Sequence, residues 1–280
     1  MHLVIQGADI ETADLKQLAK LSGAGAIDRL SGNAFRLCIA QPADGIAELC
    51  AAAKLDHGFV PEGRKLTDFK LLVMDMDSTL ITMETIDELA DMVGIKAGVA
   101  KITESAMRGE IEYDESLRRR LALLKGLDES ALQRVYDERL RFSPGAETML
   151  EKIRAAGIKT LLVSGGFTYM TDRLKTRARL DYTHSNVLEI SNGKLTGNVI
   201  GDIVNADAKL AALRRVATEL GISRAQIAGV GDGANDLKFM AECEVSVAYR
   251  AKPVVREKTT YALNHSGLDA MLRLLSAEQN

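Results

Sequence analysis

The stretch Leu-Leu-Val-Met-Asp75-Met-Asp77-Ser-Thr-Leu, residues 71–80, is the most informative part of this 280-residue chain. Its first four residues are apolar and predict a buried core strand, and two carboxylates follow at the carboxyl end of that strand. In open α/β sheets, ligands bind at this end of the strands. Side chains at positions i and i+2 point the same way, so Asp75 and Asp77 repel each other unless a cation or phosphate chemistry requires the pair. Taken alone, the two aspartates also fit a solvated turn after a strand, with no functional role.

Two later segments weaken that alternative. The apolar run at 160–163 ends in Ser164 and two glycines, which let peptide N–H groups approach an anion closely. Taken alone, this pattern also fits an ordinary strand-to-helix turn with a serine cap. Lys209 lies near the start of 207–220, where apolar residues at helical spacing predict an amphipathic helix. A lone lysine on such a helix is usually a solvated charge.

A third segment adds a second group of acids. The apolar run at 227–231 predicts another core strand, which is followed by Asp232 and Asp236. Like charges are costly to bury without a metal ion, so carboxylates at the ends of two core strands are hard to explain by structure alone. The repetition favours a catalytic or metal-binding site.

In this order, the motifs Asp75-x-Asp77-x-Thr79, Ser164, Lys209 and Gly231-Asp232-x-x-x-Asp236 resemble those of the haloacid dehalogenase superfamily of phosphotransferases. The resemblance spans about residues 71–250. Further segments resemble the phosphoserine phosphatases within that superfamily: Glu84-Thr-Ile-Asp-Glu-Leu-Ala, Lys101-Ile-Thr, Ala106-Met-x-Gly, Ser116-Leu-Arg-x-Arg120-Leu and Ser164-Gly-Gly-Phe. The resemblance implies hydrolysis of O-phospho-L-serine, the last step of serine biosynthesis.

The resemblance also implies a role for each acidic residue. Asp75 would attack phosphorus and form an aspartyl-phosphate, while Asp77 would protonate the leaving serine oxygen and then activate water. The cofactor would be Mg²⁺, a hard cation that prefers oxygen ligands. It would bind the side chains of Asp75 and Asp232 and the backbone carbonyl of Asp77. Asp236 would stand behind these ligands and orient waters or Lys209.

Substrate contacts are implied in the same way. Ser164, the N–H of Gly165 and Lys209 would hold the phosphoryl group, and Lys209 would also neutralise the charge of the nucleophile. Asn235 would bind the substrate as well. The ammonium and carboxylate of phosphoserine would each require a partner once water is excluded. The resemblance assigns the ammonium to Glu84. It assigns the carboxylate to Arg120, whose planar guanidinium suits bidentate binding. Without the resemblance, Arg120 is one of three consecutive solvated arginines.

The predicted fold is a doubly wound, mostly parallel α/β sheet with a helical cap above its carboxyl edge, all within residues 66–280. The cap is the polar insertion at about 82–142, with candidate helices at 84–93, 96–108, 114–125 and 129–139, separated by Gly94, Gly109 and Gly126. The predicted strands are 70–75, 159–163, 182–188, 226–230 and 245–248, with a β-hairpin at 186–204.

Residues 1–65 predict a separate ferredoxin-like module of order β-α-β-β-α-β, followed by a polar linker at 61–65. Its elements are a strand at 2–6, a helix at 12–21, strands near 25–30 and 34–40, a helix at 43–54 and a strand at 56–60. The module resembles a shortened ACT-type amino-acid-binding module. A dimerisation or purely structural role is favoured slightly over serine sensing.

Composition excludes several classes of protein. The net charge of −3 gives no electrostatic footprint for nucleic acid, and no apolar run approaches the length of a membrane span. The N-terminus lacks the pattern of a signal peptide, and three cysteines without ligand spacing indicate reduced thiols, so a cytoplasmic location is expected. Whether the chain forms a homodimer is left open.

Two alternatives to phosphoserine hydrolysis remain. The first is a phosphatase or phosphotransferase acting on another small phospho-amino acid such as phosphohomoserine, because sequence does not show the volume of the pocket. The second is a non-catalytic amino-acid-binding regulator. The intact motif residues argue against the regulator, since a binding module has no need of a nucleophile.

Overall fold

The structure is a computed structural model that describes residues 1–108 and 110–277. Gly109, predicted to separate two cap helices, and the last three residues of the predicted phosphatase domain lie outside the described residues. The chain divides into two compact units. The first comprises Met1–Leu72, Ser143–Lys159 and Gly221–Asn280, and the second comprises Val73–Phe142 and Thr160–Leu220.

The first unit begins with a four-stranded antiparallel sheet of order β2-β3-β1-β4. Its elements are β1 (His2–Gln6), α1 (Thr12–Ser22), β2 (Ala26–Ser31), β3 (Ala34–Cys38), α2 (Ile46–Ala52) and β4 (Asp56–Val60). This arrangement confirms the predicted ferredoxin-like order. Residues 1–72 share their unit with two later segments, and the domain boundary predicted at residue 65 stays a prediction.

The core of this sheet follows from the side-chain period of each element. Leu3 and Ile5 point to the same face of β1 because side chains alternate along a strand. They form one buried cluster with Leu15 and Leu18 of α1 and Ile46 of α2. The two helices therefore cover one face of the sheet, as the apolar spacing in their sequences requires.

Strand β4 is bonded to the C-terminal part of the same unit. The buried carboxylate of Asp56 accepts backbone hydrogen bonds from Asn264 and Ser266, both at 2.7 Å, and from the residue between them. A Cβ atom added to Gly58 would lie 2.7 Å from the side chains of Tyr261 and Leu274. Glycine is required here because β4 and these side chains approach so closely.

A seven-stranded sheet has the order β11-β10-β9-β5-β6-β7-β8. Its strands are β5 (Leu71–Met74), β6 (Lys159–Phe167), β7 (Tyr182–Ser191), β8 (Lys194–Ile200), β9 (Ile227–Gly231), β10 (Val245–Tyr249) and β11 (Tyr261–Leu263). The pairs β9–β10, β10–β11 and β6–β7 are parallel, whereas β7 and β8 form an antiparallel hairpin. The predicted mostly parallel α/β sheet is confirmed, and β11 is an additional strand too short to show a period.

Local sequence explains two features of this sheet. All four residues of β5 are fully buried, as expected for a strand covered on both faces. The hairpin turns at Asn192 and Gly193, which both have positive φ, as a type I′ turn requires. Besides α1 and α2, the α-helices outside the cap in the described part of the chain are α7 (Ala146–Ala155), α8 (Thr168–Ala178), α9 (Ala206–Leu220), α10 (Leu237–Met240), α11 (Pro253–Arg256) and α12 (Met271–Leu275).

The insertion after β5 is helical, as predicted. It contains α3 (Thr85–Met92), α4 (Lys96–Met107), α5 (Tyr113–Leu123) and α6 (Ser130–Arg134), followed by one wide helical turn at Val135–Arg139. Helix α5 packs against β8: a Cβ atom on Gly197 would lie 3.2 Å from the backbone of Ala122. Among residues 1–108 and 110–277, no helix combines the length and apolar character needed to cross a membrane.

Candidate active site

A buried ion pair lies at the carboxyl end of β5. Asp75 follows the last residue of the strand, and the Nζ atom of Lys209 donates to its Oδ1 at 2.5 Å. Both side chains are buried. Asn205 holds the start of α9, since its side-chain oxygen accepts the N–H groups of Asp207 and Ala208 and its carbonyl accepts that of Lys209. Helix α9 therefore holds the positively charged Lys209 side chain beside the Asp75 carboxylate.

Asp77 lies in the irregular turn that follows. Its Oδ1 accepts hydrogen bonds from the N–H of Thr85 at 3.2 Å and from the Thr85 hydroxyl at 2.7 Å. Burial, reinforced by the charge of Glu84, raises the pKa of Asp77 to about 8. A carboxyl group that keeps its proton near neutral pH can act as a general acid.

Ser164 lies in the second half of β6, close to Asp77. The Ser164 Oγ accepts the N–H of Gly166 at 2.8 Å. A Cβ atom on Gly166 would lie 2.6 Å from the Met76 methyl group, 2.9 Å from Asp77 Oδ2 and 3.0 Å from Ser164 Oγ. Only glycine leaves room for these side chains to meet, and the structure brings Asp77 and Ser164 together.

The two predicted amino-acid ligands lie on the helical insertion. Ser78, which has a positive φ of 56°, donates its hydroxyl to Glu84 Oε1 at 2.7 Å. Loss of surrounding water raises the pKa of Glu84, and the nearby positive charge of Arg120 is among the influences that oppose this rise. Arg119, in contrast, is exposed and pairs with Glu115 at 2.7 Å. Of these two arginines, Arg120 is the one with an electrostatic influence on Glu84.

Three contributors were not predicted from the sequence. Thr85 orients Asp77, Asn186 donates to the Gly165 carbonyl at 2.8 Å and accepts the Val204 N–H at 2.8 Å, and the Tyr113 hydroxyl reaches Gly165. Thr85 has a local signal, since it directly follows Glu84. Tyr113 and Asn186 have none, because their partners are distant in the sequence.

The remaining predicted residues belong to the first unit, where they follow β9. Asp236 is fully buried and accepts the N–H of Gly233 at 3.0 Å. Asp232 and Asp236 each place a carboxylate oxygen within 4.8 Å of the other. Asn235 lies between them in a short helical turn, Ala234–Asp236. Two carboxylates at this separation are an oxygen donor set that suits a hard divalent cation.

Several known proteins resemble this chain in sequence. The family model of haloacid dehalogenase-like hydrolases matches residues 72–241, and a model of a domain of unknown function matches residues 3–46. The phosphoserine phosphatase of Polaromonas sp. is 52% identical over 75% of this chain and 92% of its own length. The phosphoserine phosphatase of Haemophilus influenzae is 46% identical over 80% of this chain and 70% of its own length.

Solved structures resemble the chain over its whole length or over most of it. A haloacid dehalogenase family hydrolase of Salmonella enterica serovar Typhi has a TM-score of 0.89 at 32% identity, covering 99% of this chain and 98% of its own. A phospho-aspartyl intermediate analogue of a phosphoserine phosphatase has a TM-score of 0.70 at 35% identity, covering 74% of this chain and 99% of its own. The matched family model and the identities of these relatives show that the chain belongs to the haloacid dehalogenase-like hydrolase family.

Proposed function

We propose that this protein is a phosphoserine phosphatase, which hydrolyses O-phospho-L-serine to L-serine and phosphate with the help of Mg²⁺. The observation that carries the proposal is the buried Asp75–Lys209 ion pair at the end of β5, with the Asp77 carboxyl, whose pKa is raised by burial, two residues later. A carboxylate nucleophile and a carboxylic acid are the two groups that transfer of a phosphoryl group to an aspartate requires. Relatives named phosphoserine phosphatase, at 52% and 46% identity, support the choice of substrate.

The residues act in two steps. In the first, an Asp75 oxygen forms a bond to phosphorus, the bond from phosphorus to the serine oxygen breaks, and Asp77 gives its proton to that oxygen. In the second, the Asp77 carboxylate takes a proton from water, whose oxygen attacks phosphorus and releases phosphate and free Asp75. The hydrogen bonds from Thr85 to Asp77 Oδ1 leave the other oxygen directed toward Ser164, on the side where the phosphoryl group would bind.

Binding of the phosphoryl group falls to the neighbouring donors. Ser164, the N–H of Gly165 and Lys209 would contact its oxygens, joined by Asn235 of the first unit. Lys209 also offsets part of the negative charge that accumulates when a phosphate ester meets the Asp75 carboxylate. Fixed donors of this kind stabilise phosphoryl transfer without reorganising during the reaction.

The metal ion is part of the proposal. Asp75, Asp77 and Asp232 would hold Mg²⁺. Asp236, which accepts a hydrogen bond from the Gly233 N–H, would orient waters or Lys209. The donor set is composed of oxygens, as Mg²⁺ prefers, and β5 and β9 are neighbours in the strand order. When bound, Mg²⁺ neutralises charge on the phosphoryl oxygens and on the nucleophile.

Recognition of the amino acid is assigned to the helical insertion. Glu84 would bind the ammonium group, and Arg120 would bind the carboxylate. The hydrogen bond from Ser78 holds Glu84 at the edge of the site, and the opposite charges of Glu84 and Arg120 match the two ends of the substrate.

The proposal includes a cytoplasmic location, with which free thiols at Cys50 and Cys243 agree.

A phosphate-release assay tests this function. Wild-type protein should hydrolyse phosphoserine faster than phosphothreonine or phosphohomoserine, lose activity in excess chelator and regain it with Mg²⁺. Asp75→Asn keeps the shape of the side chain but removes the attacking charge, so less than a tenth of the rate should remain, about 1.4 kcal/mol of barrier or more. Asp172→Asn, an exposed change on α8, is the matched control and should behave like wild type.

Each contrary outcome has its own meaning. A preference for phosphohomoserine would replace the proposed substrate with the alternative one. Full activity in chelator would refute the role of the metal, and more than a tenth of the rate in Asp75→Asn would refute the covalent step. Phosphoserine binding without any turnover would favour a non-catalytic regulator.

A further inference from the structure

Tyr113 reaches the end of β6 from the helical insertion. It is the first residue of α5, and its hydroxyl occupies the position that a Cβ atom on Gly165 would need. The ring carbon that carries this hydroxyl lies 3.2 Å from the same position. Glycine at 165 therefore makes room for the tyrosine, whose polar tip lies beside the peptide that follows Ser164.

The surroundings of this hydroxyl make it a hydrogen-bond donor. Burial raises the pKa of Tyr113 to about 12, so the proton stays in place throughout the neutral range. The charges that act on it are those of Lys209, Arg120, Asp75 and Asp77, the groups assigned above to chemistry and substrate binding. Throughout residues 1–108 and 110–277, no hydrogen bond joins this hydroxyl to another protein atom.

The start of α5 is also anchored to the element that carries Lys209. The Asn205 side-chain amide donates to the Asp114 carboxylate at 3.1 Å, while the side-chain oxygen of the same Asn205 caps α9. Tyr113 precedes Asp114 directly. The anchor therefore fixes the chain beside Tyr113, while the tip of its ring lies against Gly165.

We infer that Tyr113 is a substrate-contacting residue whose hydroxyl donates a hydrogen bond to a phosphoryl oxygen bound at Ser164 and Gly165. Phosphoryl oxygens are strong acceptors, and the bond supplies the partner that the hydroxyl lacks in the protein. The inference rests on the proposed phosphatase function. It adds a contact to the phosphoryl group, not to the amino-acid part of the substrate.

The variant Tyr113→Phe tests the inference, because it removes the hydroxyl and keeps the ring. We expect kcat/KM to fall about tenfold or more on phosphoserine and equally on an aryl phosphate, since both present the same phosphoryl group. The affinity for inorganic phosphate, measured by calorimetry, should weaken by a similar factor. Tyr169→Phe is the control: it removes an exposed hydroxyl that bonds Gln133 at 2.6 Å, and neither measurement should change.

Two outcomes would overturn the inference. If Tyr113→Phe matches wild type in both measurements, the tyrosine only fills space against Gly165. If it loses activity on phosphoserine alone, the hydroxyl contacts the amino-acid part and the assignment to phosphate is wrong. A wild type that does not hydrolyse phosphoserine would contradict the proposed function, and the phosphate-binding measurement would still decide the role of Tyr113.

Discussion

At the scale of single residues, neighbouring side chains of the same type have different roles. Arg118, Arg119 and Arg120 are consecutive, and composition alone cannot distinguish them. The structure gives Arg119 a partner in Glu115 on the exposed face of α5, whereas Arg120 acts electrostatically on Glu84. Because of this difference, the substrate specificity of the site can be tested with a matched pair of variants, one at Arg120 and one at Arg119.

Arg120→Ala should lower kcat/KM for phosphoserine by about 30-fold or more, because removing one member of a desolvated charge contact costs about 2–5 kcal/mol. An aryl phosphate has no carboxylate, so its hydrolysis should change little. Arg119→Ala is the control: it removes an exposed ion pair of small energetic value and should leave both substrates unaffected. Initial rates on the two substrates measure the effect.

Equal losses on both substrates for Arg120→Ala would place this residue in general chemistry or folding. The pattern also differs from that expected for Tyr113→Phe, which should affect both substrates alike. The two variants together therefore separate recognition of the amino acid from recognition of the phosphoryl group.

At the scale of elements, glycines mark where a helix or strand approaches its neighbour closely. Helix α7 begins after Gly145, which has a φ of 77° and lies against Asp269. A Cβ atom at Gly145 would overlap the Asp269 carboxylate and lie 2.8 Å from its backbone nitrogen. Gly157, just beyond the end of the same helix, has a φ of 72° and no atom within 4 Å of its Cβ position.

These two glycines separate backbone strain from steric contact. Gly157→Ala should cost only the strain of a left-handed alanine, about 1–2 kcal/mol. Gly145→Ala should lower the free energy of unfolding by about 1–3 kcal/mol more, because the backbone at Asp269 must move as well. Urea unfolding followed by circular dichroism measures both, since the chain has no tryptophan. Equal losses would show that the contact with Asp269 is relaxed without cost.

At the scale of the whole molecule, the N-terminal sheet is tied to the far end of the chain. Asp56, at the start of β4, accepts backbone N–H groups from three consecutive residues, 264–266. The Tyr261 hydroxyl donates to the Phe59 carbonyl at 2.7 Å. The ferredoxin-like sheet therefore contributes to the stability of the first unit, besides any role in binding an amino acid.

Asp56→Ala should lower the free energy of unfolding by about 2–5 kcal/mol, because three backbone donors lose a buried charged acceptor. Asp9→Ala, an exposed change in the same sheet module, should leave it within about 0.5 kcal/mol of wild type. Chemical denaturation of both variants measures the difference. Similar stabilities for the two would indicate that residues 1–65 fold independently of the C-terminal segment, as the domain boundary predicted at residue 65 implies.

Most elements and the order of the motifs could be predicted from local sequence patterns. Apolar runs and helical spacing are local signals, so the strands before Asp75 and Asp232 and the helices of the insertion were predicted within a few residues of their bounds. The ferredoxin-like order was predicted for the same reason. The resemblance of the motifs then implied the chemistry, because the order of short motifs along a chain can be compared without knowing any distance between them.

Contacts between side chains that are far apart in the chain could not be predicted from the sequence and are visible only in the folded structure. The contact between Tyr113 and Gly165, the bonds from Asn186 to the 165 and 204 peptides, and the acceptor at Asp56 each join segments far apart in sequence. No period or propensity records such contacts, because they arise when separate elements pack together. The pKa of Asp77 has the same origin: burial by neighbouring elements, not the residue type, raises it.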